Sequence, residues 1–178
     1  AVRMVVADGL ADHIDLNMGC PVPKVTRKGG GAALPWKIDL FTAIVTSAVA
    51  AADETSEAIG RDPVPVTVKM RMGIDVDHLT YLDAATAAAE AGVAWVALHA
   101  RTAQQLYGGH ADRNAIATLV THLRHSEAAV LGNGDIWSAA DAVRMVHETG
   151  CDGVVVGRGC LGRPWLFGDL AALVLRDA

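Results

Sequence analysis

The chain has 178 residues, of which 52% are hydrophobic and 20% charged, and its net charge is −5 with neutral histidines. This composition excludes a disordered or collagen-like chain and provides enough apolar residues for one domain with a sizeable core. The acidic balance argues against a strong general affinity for nucleic acid.

Targeting and redox signals are few. No apolar run approaches the ~20 residues that span a bilayer, and the first residues lack the basic leader and cleavage site of a signal peptide. The three cysteines form no CxxC pair, which argues against a disulfide framework or a zinc knuckle. We therefore expect a reduced, cytoplasmic protein that does not cross a membrane.

Short β-branched apolar runs alternate with alanine-rich stretches of helical spacing. Continuous apolar strands of this kind are typical of a parallel sheet covered by helices, and they predict an α/β fold. In chain order the pattern predicts a helix at 2–10, strand 13–17, helix 38–52, strand 64–70, helix 79–91, strand 95–99, helix 113–125, strand 128–132, helix 138–148 and strand 153–156. Asp77 and Ser138 are the expected N-caps, and Gly92 and Gly150 the expected C-caps.

Each of the five predicted strands ends in polar or glycine-rich residues. A (β/α)8 TIM barrel collects its site at this end from several strands, whereas a doubly wound sheet concentrates its site at one crevice. The pattern favours the barrel. Because such a barrel takes ~250 residues and only five or six βα units are recognisable, we interpret residues 1–178 as a partial barrel, about strands 3 to 8, without the N-terminal strands.

Cys20 lies in the turn Asn17-Met18-Gly19-Cys20-Pro21, directly after a predicted strand. A thiol held there can serve as a nucleophile or as a proton donor. The alternative is that Cys20 is a small buried hydrophobe, which is the usual role of a free cysteine. Its position after a strand and beside Asn17 favours function, whereas Cys151 and Cys160 lack such surroundings and are assigned to structure.

Cationic side chains recur at two strand ends. Lys69 and Arg71 are two residues apart and point to the same face of a strand. Because buried cations are costly without an anion or a polar ligand, they indicate a ligand site, unless they lie beyond the strand in solvent. His99 and Arg101 repeat this spacing on the next strand. His122 and His125 share a helix face without a carboxylate, so no metal site is predicted.

Two glycine motifs follow the last two strands, at 132–135 and 157–159. Glycines let backbone amides approach an anion, and barrels often hold a ligand phosphate between the loops of their last two strands. Lys24, Arg27 and Lys28 precede three glycines. They form either a solvated loop or a local basic clamp for a polyanion.

Five segments together resemble the tRNA-dihydrouridine synthase family: DLNMGCPVPKV, VKMRMG, LHARTAQQLYGGHAD, LGNGDI and VVGRGCLGRPW. They run from Asp15 to about Trp165 in the family's order and at its spacing. The variant NMGCPVPKV resembles the bacterial B-type branch.

The resemblance implies an FMN-bearing barrel followed by a small helical domain that grips tRNA, and that domain is expected to be absent from these residues. It further implies that NADPH reduces FMN, which passes a hydride to C6 of an extruded uracil. Cys20 would protonate C5 as the catalytic acid. The implied substrate contacts are Asn17, Arg71 and Tyr107, and the implied cofactor contacts are Lys69, His99, Asn133, Gly134, Asp135, Gly157 and Arg158.

Two alternatives stay open at this point. One is another FMN-barrel oxidoreductase that acts on a free pyrimidine or on dihydroorotate. The other is a barrel fragment that folds or oligomerises without catalysis, since six strands would leave two unpaired edges. The sequence carries no signal for a particular oligomeric state.

Overall fold

A five-stranded parallel sheet organises the protein. The computed structural model describes residues 1–177, with side chains through residue 173. The strands are β1 Ile14–Met18, β2 Val66–Arg71, β3 Trp95–His99, β4 Ala129–Asn133 and β5 Gly153–Val155. They lie in the order β1-β2-β3-β4-β5, and every neighbouring pair is parallel. Each connection therefore leads to the adjacent strand, and the order of the strands never reverses.

Helices connect successive strands and pack on their neighbours in sequence. They are α1 Val2–Ala7, α2 Pro23–Thr26, α3 Ile38–Ala58, α4 Tyr81–Glu90, α5 Arg113–His122, α6 Ala139–Thr149 and α7 Leu166–Asp177, with 3-10 turns at Gly31–Ala33 and Arg158–Cys160. Helix α3 packs on α4, and α6 packs on both α5 and α7. Within the described residues, no helix is long and apolar enough to cross a membrane.

The two faces of the sheet differ in chemistry. Side chains alternate between the faces of a strand. One set faces the helices and shares a single buried core with residues of α3 to α6; it includes Val68, Met70, Val96, Leu98 and Val130. The alternate set includes Lys69, Arg71, His99 and Asn133 and lies on the opposite face. The helices that share this core pack on the face of Val68 and its neighbours, which is typical of a (β/α) barrel, whereas a doubly wound sheet has helices on both faces.

The α/β class, the parallel sheet and all five predicted strands are confirmed, with strand ends shifted by two residues at most. Helix α3 continues six residues past its predicted end at position 52. The sequence pattern missed these residues because the last turns of the helix are polar and lack the apolar spacing. About six strands were expected, and the described residues contain five.

The expected N-cap at Asp77 is wrong. Helix α4 begins at Tyr81 after Thr80, four residues later than Asp77. An antiparallel bridge between Gly73 and Leu79 closes a loop before the helix, and the Asp77 N–H donates to the Asp75 carboxylate inside that loop. Of the expected C-caps, Gly150 ends α6 in the left-handed conformation, and Gly92 has the same conformation just after α4 ends.

The N-terminus of α6 offers a test of local stability. The Ser138 hydroxyl accepts from the Asp141 N–H at 3.3 Å, and the Asp141 carboxylate accepts from the Ser138 N–H at 2.9 Å, which is a complete capping box. We expect Ser138→Ala to lower the free energy of unfolding by about 1 kcal/mol, measured by denaturant unfolding. Ser47→Ala, at an exposed position inside α3, is the control and should be neutral or slightly stabilising. Equal effects of the two substitutions would contradict the assigned cap.

Candidate functional site

The predicted site residues meet at one pocket of about 420 Å3 at the carboxyl end of the sheet. This volume lies in the range of small-molecule sites, about 300–1,000 Å3. Strand register explains the clustering: Asn17 lies opposite Lys69, and Arg71, His99 and Asn133 follow one another across three strands. Ten of the eleven predicted residues line the pocket: Asn17, Cys20, Lys69, Arg71, His99, Tyr107, Asn133, Gly134, Gly157 and Arg158. The eleventh, Asp135, does not.

The turn that carries Cys20 is held from both sides. The Asn17 side chain accepts from the Gly19 N–H at 3.1 Å. On the far side, the Cys20 carbonyl accepts from the Ala32 N–H at 3.0 Å. Gly31 has φ +55°, and a Cβ there would lie 2.4 Å from the Cys20 carbonyl oxygen, so this close return of the chain requires glycine. The thiol is thereby fixed, half-buried, at the wall of the pocket.

Arg71 joins the loops that follow β1 and β3. Its side chain is 4% exposed. Its Nε donates to the Gly19 carbonyl at 3.1 Å, and its Nη1 donates at 2.8 Å to both Thr102 and Leu106. Burial lowers the pKa of Arg71, and the nearby Tyr107 opposes this. Because Nε and Nη1 are bonded to backbone within the described residues, Nη2 is the part of the guanidinium that is left to meet a ligand in the pocket.

Buried Arg101 and half-buried Asp135 form an ion pair that ties the β3 loop to the β4 loop. The Arg101 side chain is 1% exposed, and its Nη2 lies 2.8 Å from Asp135 Oδ1. Arg101 also donates to the Gly108 and Gly109 carbonyls. Burial alone would raise the pKa of Asp135, but hydrogen bonds from the Ala111 N–H and from Arg101 outweigh burial and lower it. The Asp135 carboxylate is therefore bonded to the loop after β3, and it positions the pocket wall by holding that loop in place.

The polar face of the sheet is strongly cationic. Burial, and next the positive charge of Arg71, lowers the pKa of Lys69, and Asp15 opposes this. Burial, followed by the charges of Arg71 and Lys69, lowers the pKa of His99 to about 3. His99 is thus neutral near pH 7. Its Nε2 lies 3.4 Å from Arg101 Nη1; since a guanidinium only donates, this contact favours the tautomer with its proton on Nδ1.

Arg158 lies between two aromatic rings at the mouth of the pocket. Its guanidinium carbon is 4.4 Å from the centroid of Tyr107 and 5.4 Å from that of Trp137. Arg71 approaches the same Tyr107 ring at 5.8 Å. Planar guanidinium groups stack favourably on aromatic faces. The stack links the loops after β3, β4 and β5 and presents cationic and aromatic groups together.

The glycines of the last two loops form a backbone cradle that suits a phosphate-bearing cofactor. A Cβ at Gly134 would lie 2.5 Å from the Ala111 Cβ, and one at Gly159 would lie 2.0 Å from the Ile136 carbonyl oxygen, so both are confined to glycine. A Cβ at Gly157 would meet nothing within 4 Å, so its backbone is open to a ligand. With Arg158 beside it, this loop fits the anion-binding chemistry that a phosphate needs.

The sequence pattern does not identify several features of the site. Arg101 was recognised as part of a strand-end pattern, but its partner lies 34 residues away and gave no signal. Trp137, Ile136 and Val22 also line the pocket, and nothing in their spacing identified them. Cys151 is buried and Cys160 half-buried, and each thiol donates to a nearby backbone carbonyl. No group of three or more metal-ligating side chains occurs among the described residues.

The family model described as "Dihydrouridine synthase (Dus)" matches residues 1–177. A "Probable tRNA-dihydrouridine synthase" of Mycobacterium tuberculosis (strain ATCC 25618 / H37Rv) is 59% identical over 172 residues, which is 97% of this chain and 42% of that protein. The relative of the same name in Treponema pallidum is 40% identical over 93% of this chain and 47% of its own length.

A third relative, "tRNA-dihydrouridine synthase B" of Xanthomonas campestris pv. campestris, is 40% identical over 96% of this chain and 47% of its own length. The chain thus spans less than half the length of these three curated relatives.

Removing the charge of Asp135 should loosen the loops that the Arg101–Asp135 pair holds together. Asparagine tolerates the left-handed backbone of Asp135, which has φ +53°, so Asp135→Asn removes the charge and leaves the backbone unstrained. We expect this substitution to lower the free energy of unfolding by about 2–4 kcal/mol, because it leaves a buried guanidinium without its counter-ion. Denaturant unfolding measures the loss, and amide exchange should accelerate in the 104–112 loop.

The matched control is Glu54→Gln, which removes the partner of Arg3 in a pair whose side chains are 63% and 70% exposed. Such surface pairs contribute about 0–1 kcal/mol. If Asp135→Asn were no more costly than Glu54→Gln, the pair would not hold the two loops together.

His99 is expected to stay neutral well below the pKa of an ordinary histidine. Because its folded-state pKa is depressed to about 3 and its unfolded value is about 6.5, the unfolded state binds the proton first. Its contribution to stability is therefore present above pH ~6.5 and falls between that pH and about 3. Imidazole NMR shifts should show an Nδ1–H tautomer without titration from pH 8 to about 5. A midpoint near 6.5 for His99 would refute the assigned environment.

Proposed function

Because the chain belongs to the dihydrouridine synthase family, we propose that it is the central part of a (β/α)8 barrel enzyme that reduces a uridine of tRNA to 5,6-dihydrouridine. The consecutive strand order and the helices on one face support the barrel. On this proposal, residues 1–178 contribute the wall that carries the site. The corresponding location of the enzyme is the cytoplasm.

The observation that carries the proposal is the composition of one pocket. It combines a half-buried thiol, Cys20, with an amide, Asn17, and with the cations Lys69, Arg71 and Arg158. An extruded base needs polar groups along its edge and a planar neighbour at its face. The pocket supplies the polar groups, and a flat cofactor supplies the neighbour.

The proposed cofactor is flavin mononucleotide, with NADPH as electron donor. When bound, it supplies the hydride that is added to C6 of the uracil. Lys69 and His99 would hold its ring system, and neutral His99 offers one N–H donor there. The loops after β4 and β5 would hold the ribityl chain and phosphate through Asn133, Gly134, Asp135, Gly157 and Arg158, with Asp135 contributing its backbone while its carboxylate holds Arg101.

Cys20 is the proposed proton donor. As C6 of the uracil gains the hydride, C5 takes a proton from the Cys20 thiol, so that the C5–C6 double bond becomes a single bond and the sulfur becomes a thiolate. Asn17 and Arg71 would hold the polar edge of the uracil, and Tyr107 would pack or hydrogen-bond beside it. The hydrogen bonds that Gly19 donates to the Asn17 side chain and accepts from Arg71 keep the thiol aligned with these groups.

Replacing the proposed acid should separate proton transfer from cofactor binding. In the full-length gene product, we expect Cys20→Ala to abolish dihydrouridine formation in tRNA while the purified protein retains its visible flavin absorption. The reason is that Cys20 lies on the β1 loop, whereas the proposed phosphate cradle is on the loops after β4 and β5. Nucleoside mass spectrometry of digested tRNA and an absorption spectrum measure the two properties.

Cys151→Ala is the control, since that thiol is buried outside the pocket and donates to Gly153. It should leave both properties intact. Loss of flavin from Cys20→Ala would remove the proposed division of roles. Reduction of free uracil or dihydroorotate in preference to tRNA would instead favour a free-base oxidoreductase, and an unmutated protein that cannot be reconstituted with flavin would overturn both enzyme hypotheses.

A further inference from the structure

Separate from the pocket, a concavity of about 520 Å3 lies between the loop that follows the Cys20 turn and the loop that follows β2. We call it the basic cleft and define it by Arg27, Lys28, Trp36 and Lys37, with Asp75 and His78 on its far wall. The proposed uridine chemistry uses none of these residues.

The cations of the cleft are concentrated in sequence and free of counter-ions. Residues 21–38 contain four Lys or Arg and no Asp or Glu, and three of the four lysines of this acidic chain lie there. Among the described residues, Arg27, Lys28 and Lys37 take part in no salt bridge. Gly29, at φ +79°, lets the Lys37 ammonium approach the end of α2; a Cβ at Gly29 would lie 2.9 Å from its Nζ. This local excess of charge is suited to an anion.

The one acid in the cleft is already engaged. Asp75 Oδ1 lies 2.6 Å from His78 Nδ1 and also accepts from the Asp77 N–H. The hydrogen bond from His78 lowers the pKa of Asp75. His78 in turn meets the Trp36 ring edge-on, with centroids 4.9 Å apart. Trp36 is nevertheless 54% exposed, so a large aromatic surface lies beside three cations that make no salt bridge within the part of the chain that the structure describes.

The cleft is physically joined to the proposed reaction centre. The chain leaves Cys20, forms the short helix α2 and returns at Ala32, whose N–H donates to the Cys20 carbonyl at 3.0 Å. Three extended residues and one helical turn place the Arg27 Cα no more than about 17 Å from that of Cys20. A polymer with one unit in the pocket therefore passes within reach of the cleft.

From this arrangement we infer that the basic cleft binds the RNA strand next to the extruded uridine, with backbone phosphates at Arg27, Lys28 and Lys37 and one flanking base stacked on Trp36. This inference rests on the proposed function. Single-stranded nucleic acid is typically held by a cationic groove together with aromatic side chains. Extruding a base costs stacking energy, and a grip on the neighbouring nucleotide helps to offset that cost.

Charge neutralisation tests the phosphate contacts. The variant R27Q/K28Q/K37Q of the full-length gene product is compared with R3Q/R124Q/R144Q, which changes the net charge equally at exposed arginines outside the pocket and the cleft. The probe is a fluorescein-labelled, unmodified tRNA transcript, titrated at several salt concentrations. We expect the cleft variant to bind at least about tenfold more weakly at low salt, and the slope of log affinity against log salt to fall by about two, since each phosphate contact contributes roughly 0.7–0.9. The control should match the unmutated protein.

Trp36 tests the stacking contact. Trp36→Ala should weaken tRNA binding roughly fivefold to a hundredfold without changing the salt slope, and Trp36→Phe should restore most of the affinity because it keeps an aromatic face. None of these variants should change flavin absorption or oxidation of NADPH without tRNA. An effect on those two properties would point to disturbed folding of the pocket and would overturn a separate RNA subsite.

Other outcomes distinguish the cleft from the function on which it rests. If the triple variant and its control bound tRNA equally, or if the unmutated protein did not bind tRNA, the inference about the cleft would be wrong. If Trp36→Ala bound tRNA as tightly as the unmutated protein, the proposed stacking of a base on Trp36 would be wrong. If the unmutated protein bound tRNA through the cleft and yet formed no dihydrouridine, the proposed reaction would fail while the RNA subsite stood.

Discussion

Two buried guanidinium groups, those of Arg71 and Arg101, determine how the loops at the carboxyl end of the sheet meet. A guanidinium offers five N–H donors in one rigid plane, and here the two groups together make five hydrogen bonds to backbone carbonyls of the loops after β1 and β3. The loops can therefore be irregular without leaving buried carbonyls unpaired. Of these two arginines, Arg101 alone has a carboxylate partner within the described residues, namely Asp135, so the cations that line the pocket keep a net positive field.

The sequence predicts the fold and the centre of the site well because both depend on short-range periodicity. Period-two alternation placed Lys69 and Arg71 on one face, and the parallel register then aligned Arg71, His99 and Asn133 across neighbouring strands. A continuous apolar run predicts the position of a strand to within about two residues, because burial of its side chains against the helices determines where the strand forms. The glycine loops after β4 and β5 followed from the same strand ends. The roles of these residues came from resemblance, whereas their convergence at one pocket came from periodicity.

The features that the sequence did not predict depend on long-range contacts or on competition between local structures. Asp135 lies in a glycine motif typical of ligand-binding loops, yet its carboxylate bonds to Arg101 and Ala111. Because both partners are more than 20 residues away in sequence, the motif alone does not reveal this contact. Asp77 had the chemistry of an N-cap, but the Gly73–Leu79 bridge fixed the preceding loop and moved the helix start to Tyr81. Stacking of Arg158 on Tyr107 and Trp137 joins three loops and has no signature in any one of them.

The charge distribution reconciles an acidic chain with the polyanionic substrate proposed for it. Net charge governs long-range attraction, but salt screens exposed charges beyond about 10 Å at 0.1 M, so contact depends on local groups. Here the pocket carries Lys69, Arg71 and Arg158, and the basic cleft carries three more cations, while Asp or Glu is absent from residues 21–38. Apart from Asp75, which is paired with His78 in the cleft, the acidic residues lie outside these two sites, and on the proposed function they would disfavour RNA on the rest of the surface. On the proposed function, cations at the carboxyl end of the sheet of an acidic chain would favour one orientation of the RNA, in which a base reaches the Cys20 thiol.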